Sequence, residues 1–166
     1  KSGNNTVQIK FVKGSDPRNP DGEETYVAAV YLVKKISCES LLQTIKAENK
    51  RSVEDCKKML AEEIASSGID IDKVVCPLTC VFDMQPLKTP AKGAYCKHPN
   101  CFSLENFVNL WYKNSQRKWT CPICKVKSYD LIVDSYFEEI LQDAKQKNLD
   151  KSVTTNVEIL KDGSYR

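Results

Sequence analysis

Cys96-Lys97-His98 and Cys121-Pro122-Ile123-Cys124 are the two stretches that decide the fold of this chain, and His98 is its only histidine. Three thiolates and one imidazole are the mixed sulfur and nitrogen set that zinc takes in closed tetrahedral sites. Because 22 residues separate the two short pairs, one ion would fix two distant pieces of backbone. The spacing therefore predicts a structural site for one zinc ion, with Cys96, His98, Cys121 and Cys124 as its ligands.

Scattered core residues are the plainer interpretation, because cysteine is often buried and a solitary histidine is often satisfied within a core. That interpretation leaves the dense run of cysteines from Cys76 to Cys124 unexplained. A redox protein is a further alternative, since C-P-x-C is similar to the glutaredoxin motif, and it predicts a dithiol free of metal. The residues after Cys124 are not typical of a helix start, and no βαβ pattern surrounds them. We also find no paired carboxylates, phosphate loop or nucleophile beside His98, so no catalytic residue is predicted.

The wider spacing is that of half a RING domain. A full RING binds two zinc ions, and on its template the four predicted ligands fill the second site. The first site keeps only Cys76 and Cys101, with Thr79 and Leu104 standing where their partner thiolates would be. Cys80 is one residue out of register and is given little weight as a ligand. We therefore predict that one zinc site is kept and that packing and hydrogen bonds replace the other.

Three motifs carry a closer resemblance: Val75-Cys76-Pro77-Leu78, the run from Tyr95 to Phe102, and Trp119-Thr120-Cys121-Pro122-Ile123-Cys124. They resemble the SP-RING of the PIAS/Siz family of SUMO ligases, and the similarity runs from about Lys73 to Leu141. Pro99-Asn100 departs from the family's usual leucine or valine plus glutamine without touching a ligand position.

The resemblance implies a fragment of a nuclear SUMO E3 ligase that has no nucleophile of its own. Such a ligase docks a conjugating enzyme (E2) charged with SUMO and promotes SUMO transfer to substrate lysines. The implied partners are the E2, SUMO and protein substrates, and chromatin or DNA through regions outside this chain. By similarity to RING-type domains, Leu78, Pro122 and Ile123 would bind the conjugating enzyme. A core position is the alternative for Leu78.

Two other functions stay open at this point. One is a ubiquitin ligase whose first zinc site has degenerated. The other is a zinc-dependent module that recruits transcription or chromatin partners without accelerating transfer. No apolar run reaches the ~20 residues that a membrane helix needs, and no secretory signal is present, so neither a membrane partner nor disulfides are expected. A formal net charge of +3 does not by itself indicate nucleic acid.

The predicted fold class is α+β, with a single-zinc RING-like domain flanked by helices. Alternating apolar residues predict strands at Thr6–Val12 and Tyr26–Ile36, which resemble the end of the family's PINIT domain. Helices are predicted from about Ser37 to Ala47, from the capping box at Ser52 to a stop at Gly68, from Ser103 to about Lys113, and from the cap Asp134 onward. Phe102 and Phe107 are spaced as a hydrophobic staple at the start of the third. Val153–Leu160 alternates like a strand. The predicted divisions are 1–36 (PINIT-like strands), 37–72 (helical linker), 73–145 (zinc domain) and 146–166 (C-terminal extension).

Overall fold

The computed structural model describes residues 28–31, 33–66, 72–114, 118–147 and 156–166, together with Gln8. The chain forms two compact units, Lys1–Lys34 and Lys35–Arg166, and every helix and strand of the described residues lies in the second. In chain order they are α1 (Cys38–Glu48), β1 (Lys50–Arg51), α2 (Val53–Ser66), β2 (Lys73–Pro77), β3 (Pro90–Gly93), β4 (Phe102–Ser103), α3 (Leu104–Lys113), β5 (Leu131–Asp134), α4 (Ser135–Gln146) and β6 (Asn156–Leu160). The predicted α+β class is confirmed.

Serine side chains start the two helices that precede the zinc region. The Ser37 hydroxyl accepts a hydrogen bond from the backbone amide of Ser40 at 3.1 Å, and the Ser52 hydroxyl accepts one from Asp55 at 3.1 Å. In a capping box the Asp55 carboxylate would also accept a hydrogen bond from the backbone amide of Ser52. Here it accepts one from the Ser52 hydroxyl instead, at 2.8 Å. Both helices are confirmed, and the predicted stop of the second at Gly68 lies outside the described residues.

A four-stranded sheet in the order β1-β5-β3-β4 positions the zinc region. Strand β5 pairs antiparallel with β3, with Gly93 opposite Leu131, and parallel with the short β1. Two buried connections lead directly from strand to helix: β4 into α3 and β5 into α4. The predicted cap of the last helix is confirmed, since the amide of Phe137 donates to the Asp134 carboxylate at 3.1 Å.

The C-terminal residues belong to the same unit as the zinc region. Strand β6 pairs antiparallel with β2 along its whole length, from Lys73 opposite Leu160 to Pro77 opposite Asn156. The chain then turns at Gly163, whose φ of 76° is easily reached by glycine, and the Tyr136 hydroxyl donates to its carbonyl at 2.9 Å. The predicted C-terminal strand is confirmed for Asn156–Leu160, and residues 153–155 lie outside the described part.

The second predicted strand, Tyr26–Ile36, is wrong for the residues that are described. Residues 28–31 and 33–36 have no strand assignment, and Val30, Tyr31 and Val33 are each more than three-quarters exposed. A strand needs a hydrogen-bonded neighbour and a face to bury, and the described part of the chain supplies neither to this segment. The Thr6–Val12 strand falls outside the described residues except for Gln8, so the PINIT-like assignment stays a prediction, as do the four divisions of the chain.

No helix in the described residues is long and apolar enough to cross a membrane.

A buried ion pair joins the middle of the sheet to the start of α4. The Lys92 ammonium lies 2.8 Å from the Asp134 carboxylate, and the two side chains are 12% and 1% exposed. The same carboxylate caps α4, so strand β3, strand β5 and the helix meet at one charged contact. Removing one partner of a buried pair leaves the other charge uncompensated, which typically costs about 3–5 kcal/mol.

We therefore expect Lys92→Met to lower the free energy of unfolding of the zinc-loaded chain by about 3–5 kcal/mol, measured by urea titration. The double variant Lys92→Met/Asp134→Asn should recover part of that loss, because asparagine carries no charge and still caps a helix. Equal stability of Lys92→Met and the parent chain would contradict a structural role for this pair.

Candidate metal centre

The four predicted ligands meet in one cluster. The sulfur atoms of Cys96, Cys121 and Cys124 and a ring nitrogen of His98 all lie within 4.8 Å of one another. The His98 Nε2 is 3.3 Å from the Cys121 sulfur, and the sulfurs of Cys96 and Cys124 are 3.6 Å apart. A Cys₃His set of this size fits tetrahedral zinc, whose bonds to sulfur and nitrogen are about 2.3 and 2.0 Å. The predicted cofactor, one zinc ion, is confirmed, and four ligands leave no open position for chemistry on the metal.

Backbone hydrogen bonds shape the turn that carries the second ligand pair. The amide of Cys121 donates to the Val126 carbonyl at 2.9 Å, and the amide of Lys125 donates back to the Cys121 carbonyl at 3.1 Å. Lys125 has a φ of 63°, the left-handed conformation that closes the turn. The amide of Ile123 also points at the Cys121 sulfur from 3.4 Å, which stabilises negative charge there. We call residues Cys121–Val126 the zinc turn.

The orientation of His98 is fixed by a bond on the far side of its ring. Its Nδ1 lies 2.9 Å from the Asn100 carbonyl oxygen, which can only accept a hydrogen bond. The proton therefore sits on Nδ1, and the Nε2 lone pair faces the three sulfurs. Such outer contacts of a ligating histidine set its tautomer and strengthen its binding to metal.

Thiolate character is already favoured within the cluster. The contact with the Cys96 thiol, helped by two backbone amides, lowers the pKa of Cys121. The same contact, together with burial, raises the pKa of Cys96. Zinc binding requires deprotonated ligands, so the arrangement provides one thiolate from the outset and the metal displaces the remaining protons.

Sequence reasoning missed two residues that bring the ligand loops together. Ser128 is buried, and its hydroxyl lies 3.7 Å from the Cys96 sulfur. A Cβ on Gly93 would lie 2.4 Å from that hydroxyl and 3.0 Å from the Cys96 sulfur, so only glycine allows the approach. The one available signal was the short interval from Gly93 to Cys96, since glycine in a strand often marks a close backbone contact.

Cys80 lies outside the metal-binding cluster and has a separate structural role. Residues Cys80–Gln85 form a turn with the bonding pattern of the zinc turn: the amide of Cys80 donates to Gln85, and that of Met84 donates to Cys80, both at 2.8 Å. Met84, at a φ of 55°, matches Lys125. We call it the metal-free turn. The amide of Ser103 donates to the Cys80 sulfur at 3.3 Å, which places this cysteine at a hydrogen-bonding centre without making it a ligand.

Cys76 and Cys101, the predicted remnants of the lost site, are both buried. Burial raises the pKa of Cys76 to about 11, and it raises the pKa of Cys101 as well. Both are therefore neutral thiols at physiological pH, and Lys92 and Asp134 lie near enough to influence them. Among the described residues, the Cys₃His set is the one group with metal-binding geometry. That Cys76 and Cys101 descend from zinc ligands stays a prediction.

The three predicted docking residues lie in different surroundings. Pro122 and Ile123 are half-buried in the zinc turn. Leu78 is only 5% exposed and lines a cavity of about 80 Å³ with Ile140 and Val157, because the pairing of β6 with β2 covers it. The burial of Leu78 corresponds to the core alternative, and its docking role stays a prediction.

An aromatic cluster on α3 links the metal-free turn to the zinc turn. Phe107 stacks on Phe102 with ring centres 4.6 Å apart, as the predicted hydrophobic staple requires. Its ring also contacts Phe82 of the metal-free turn at 6.3 Å, and Trp119, just before the zinc turn, at 5.9 Å. Trp111 completes the cluster from the next turn of the helix, 6.3 Å away. The two turns are thus held against one helix.

Loss of a zinc ligand should unfold the region around it. Cys121→Ser and His98→Ala are expected to abolish zinc binding, because metal binding contributes on the order of 10 kcal/mol to folding a small zinc domain. Cys76→Ser and Cys101→Ala should keep one zinc per chain and lose only packing. Elemental analysis and thermal melts of the four variants provide the measurement, and a metal-free Cys101→Ala that remains folded would contradict the ligand set.

Gly93→Ala should weaken zinc binding about 10–100-fold, the range found when an outer contact of a metal site is lost. Its new methyl group pushes Ser128 away from Cys96. Competition with a chromophoric chelator gives the affinity. The double variant Gly93→Ala/Ser128→Gly opens the space again and should restore part of the zinc affinity. Unchanged zinc affinity in Gly93→Ala would show that the close approach of Gly93 to Ser128 and Cys96 is unimportant.

Known proteins share these features. The family model of the MIZ/SP-RING zinc finger matches residues 73–127. The mouse protein E3 SUMO-protein ligase PIAS4 is 28% identical over 153 residues, covering 86% of this chain and 27% of that protein. E3 SUMO-protein ligase SIZ1 of Arabidopsis thaliana is 33% identical over 153 residues, covering 82% of this chain and 17% of that protein. This chain therefore spans about a quarter or less of these two curated relatives.

Two crystal structures from S. cerevisiae have a similar fold. The SUMO E3 ligase SIZ2 aligns with a TM-score of 0.64 at 27% identity, covering 79% of this chain and 46% of that chain. The SUMO E3 ligase SIZ1 aligns with a TM-score of 0.65 at 25% identity, covering 79% and 44%. Sequence, fold and metal ligands agree, and the predicted resemblance is confirmed: this chain carries a MIZ/SP-RING zinc finger and is similar to the SUMO E3 ligases of the PIAS/Siz family.

Proposed function

We propose that this chain is the part of a SUMO E3 ligase that docks a SUMO-charged conjugating enzyme and promotes SUMO transfer to substrate lysines. The observation that carries the proposal is that the zinc turn and the metal-free turn are both held against Phe107 of α3, through Trp119 and Phe82. The relatives that match most of this chain are named SUMO-protein ligases, which supports the same activity here.

The docking surface is apolar and spans both turns. Pro122 and Ile123 supply its part on the zinc turn and keep their predicted role. Val81 and Met84, which are 45% and 71% exposed, extend the surface onto the metal-free turn, and Leu78 joins it only if its side chain becomes exposed. Leu110, on the exposed side of α3, is 46% exposed. Exposed apolar side chains held on rigid turns are suited to binding a partner with little loss of conformational entropy.

The chemistry belongs to the partner. The amine of a substrate lysine attacks the thioester carbonyl on the conjugating enzyme, the isopeptide bond forms, and the enzyme's cysteine leaves as a thiolate. This chain accelerates the step by restricting the charged enzyme to a reactive arrangement, an effect that can lower a barrier by several kcal/mol. Three of its own thiols are occupied by the metal, which agrees with the absence of a predicted nucleophile. Bound zinc supplies rigidity and no reaction step.

The remaining parts of the proposal concern the wider protein. SUMO, the conjugating enzyme and substrate proteins are the partners, and the nucleus is the proposed location, since the relatives act in SUMO conjugation. Association with chromatin or DNA through regions outside this chain stays a prediction of the same kind. The substrates would be selected by those regions.

Single-turnover discharge of SUMO from its conjugating enzyme onto free lysine tests the proposal. Ile123→Ala and Met84→Ala should each slow the discharge that the chain stimulates by about tenfold, the usual effect of truncating a central interface residue. Val75→Ala is the matched control, because Val75 is 52% exposed on β2, pairs with Glu158 of β6 and belongs to neither turn, so its loss should leave the rate unchanged.

Two outcomes would contradict the proposal. Stimulated discharge from a ubiquitin-charged enzyme, with none from the SUMO enzyme, would favour the degenerate ubiquitin ligase. Binding of the conjugating enzyme with no acceleration at saturating concentration would favour the recruitment module. Zinc content measured on each variant separates a docking defect from an unfolded domain.

A further inference from the structure

We infer that a tyrosine-bearing, basic surface beside the metal centre binds single-stranded nucleic acid. We call it the tyrosine face and define it as Tyr95, Lys97, Lys125, Lys127 and Tyr129. The proposed docking of the conjugating enzyme uses other side chains, namely Pro122 and Ile123 of the zinc turn and those of α3 and the metal-free turn. Lys125, which lies in the zinc turn, is where the two surfaces adjoin.

The two tyrosines lie at the end of the β3–β5 pairing. The ladder reaches Gly93 opposite Leu131, and one further bond joins the amide of Ala94 to the Asp130 carbonyl at 2.8 Å. The next residues along these two segments are Tyr95 and Tyr129. Their side chains are 72% and 60% exposed, so neither ring is needed to fill the core. Two exposed tyrosines at facing positions of neighbouring segments offer rings on which bases can stack.

The lysines of the face are held beside the metal ligands. Lys97 follows Cys96, and Lys125 follows Cys124, whose sulfur is 3.6 Å from that of Cys96. Lys127 precedes Ser128, which contacts the Cys96 sulfur. All three lysines are exposed, and none forms an ion pair with a carboxylate in the described part of the chain. Lys125 donates instead to the Pro122 carbonyl at 2.7 Å.

The positive charge of the chain is concentrated in this region. Residues 93–130 contain six basic and two acidic side chains, whereas the formal net charge of the whole chain is +3. One of the two acids, Glu105, is paired with Lys46 at 2.6 Å. The other, Asp130, is exposed next to Tyr129 and lines a shallow groove in which Glu48 and Asp55 are accompanied by Lys50 and Arg51. The remaining excess of positive charge suits a polyanion.

Aromatic rings together with lysines favour single-stranded nucleic acid over other polyanions. Bases that are already unstacked gain about 1–3 kcal/mol each by stacking on an aromatic side chain, while lysines contact the phosphates. Duplex bases are stacked on each other and would leave the tyrosine rings unused. An acidic peptide would use the lysines alone.

Fluorescence anisotropy with a labelled oligothymidylate of about 15 nucleotides, at roughly 50 mM salt, tests the inference on the zinc-loaded 166-residue chain. Tyr95→Ala and Tyr129→Ala should each weaken binding about tenfold, while Tyr95→Phe and Tyr129→Phe should bind like the parent. Lys97→Gln and Lys127→Gln should each reduce the slope of log affinity against log salt by about 0.7. Asp130→Asn should bind more tightly.

Matched controls lie elsewhere on the chain. Tyr31→Ala removes a tyrosine that is 79% exposed in the first unit, and Lys58→Gln removes an exposed lysine of α2. Both should bind like the parent. The inference is overturned if the chain does not bind the oligonucleotide, if the alanine variants bind unchanged, or if a duplex or poly-glutamate competes equally well. SUMO discharge is measured on the same variants. Failure of the nucleic-acid inference can then be distinguished from failure of the proposed ligase function.

Discussion

The zinc bridge between the loop of Cys96 and His98 and the turn of Cys121 and Cys124 is the constraint on which the second half of the structure depends. It closes a gap of 22 residues that includes α3. The turn and the loop also contact each other directly, through Ser128 and Gly93. Without the metal, three sulfurs within 4.8 Å of one another would have to share protons, an arrangement that only partly replaces the bonds to zinc.

The opposite half of the domain reaches a similar shape without metal. Its turn at Cys80 repeats the backbone bonds of the zinc turn, and the thiol there accepts hydrogen bonds from the Ser103 amide and the Asn106 side chain at 3.3 and 3.4 Å. Buried thiols and the Lys92–Asp134 pair occupy the neighbouring core. One domain therefore holds two equivalent turns by different means, a metal ion on one side and packing with hydrogen bonds on the other. Both turns then rest on the aromatic cluster of α3.

Local chemistry explains which features the sequence could predict. The ligand set, the capped helices and the staple of Phe102 and Phe107 depend on residues within a few positions of each other, or on a metal pattern that few arrangements satisfy. The burial of Leu78 depends on β6, which lies some 80 residues further along the chain, and nothing near Leu78 in the sequence signals that pairing. The role of Lys92 is equally hidden, because its partner Asp134 lies in another strand. At Tyr26–Ile36 the sequence predicted a strand that the described residues do not form. β-branched residues favour a strand only where a neighbouring strand is present to pair with.

Hydrogen exchange measured before and after zinc removal tests the central claim most directly. In the zinc-loaded chain, with one metal per molecule, the amides of Cys121 and Ser128 should be protected, because they donate to the carbonyls of Val126, in the zinc turn, and Trp119, just before it. Chelation should abolish their protection together with that of Cys96. Unchanged protection of these three amides in a metal-free chain would contradict the account.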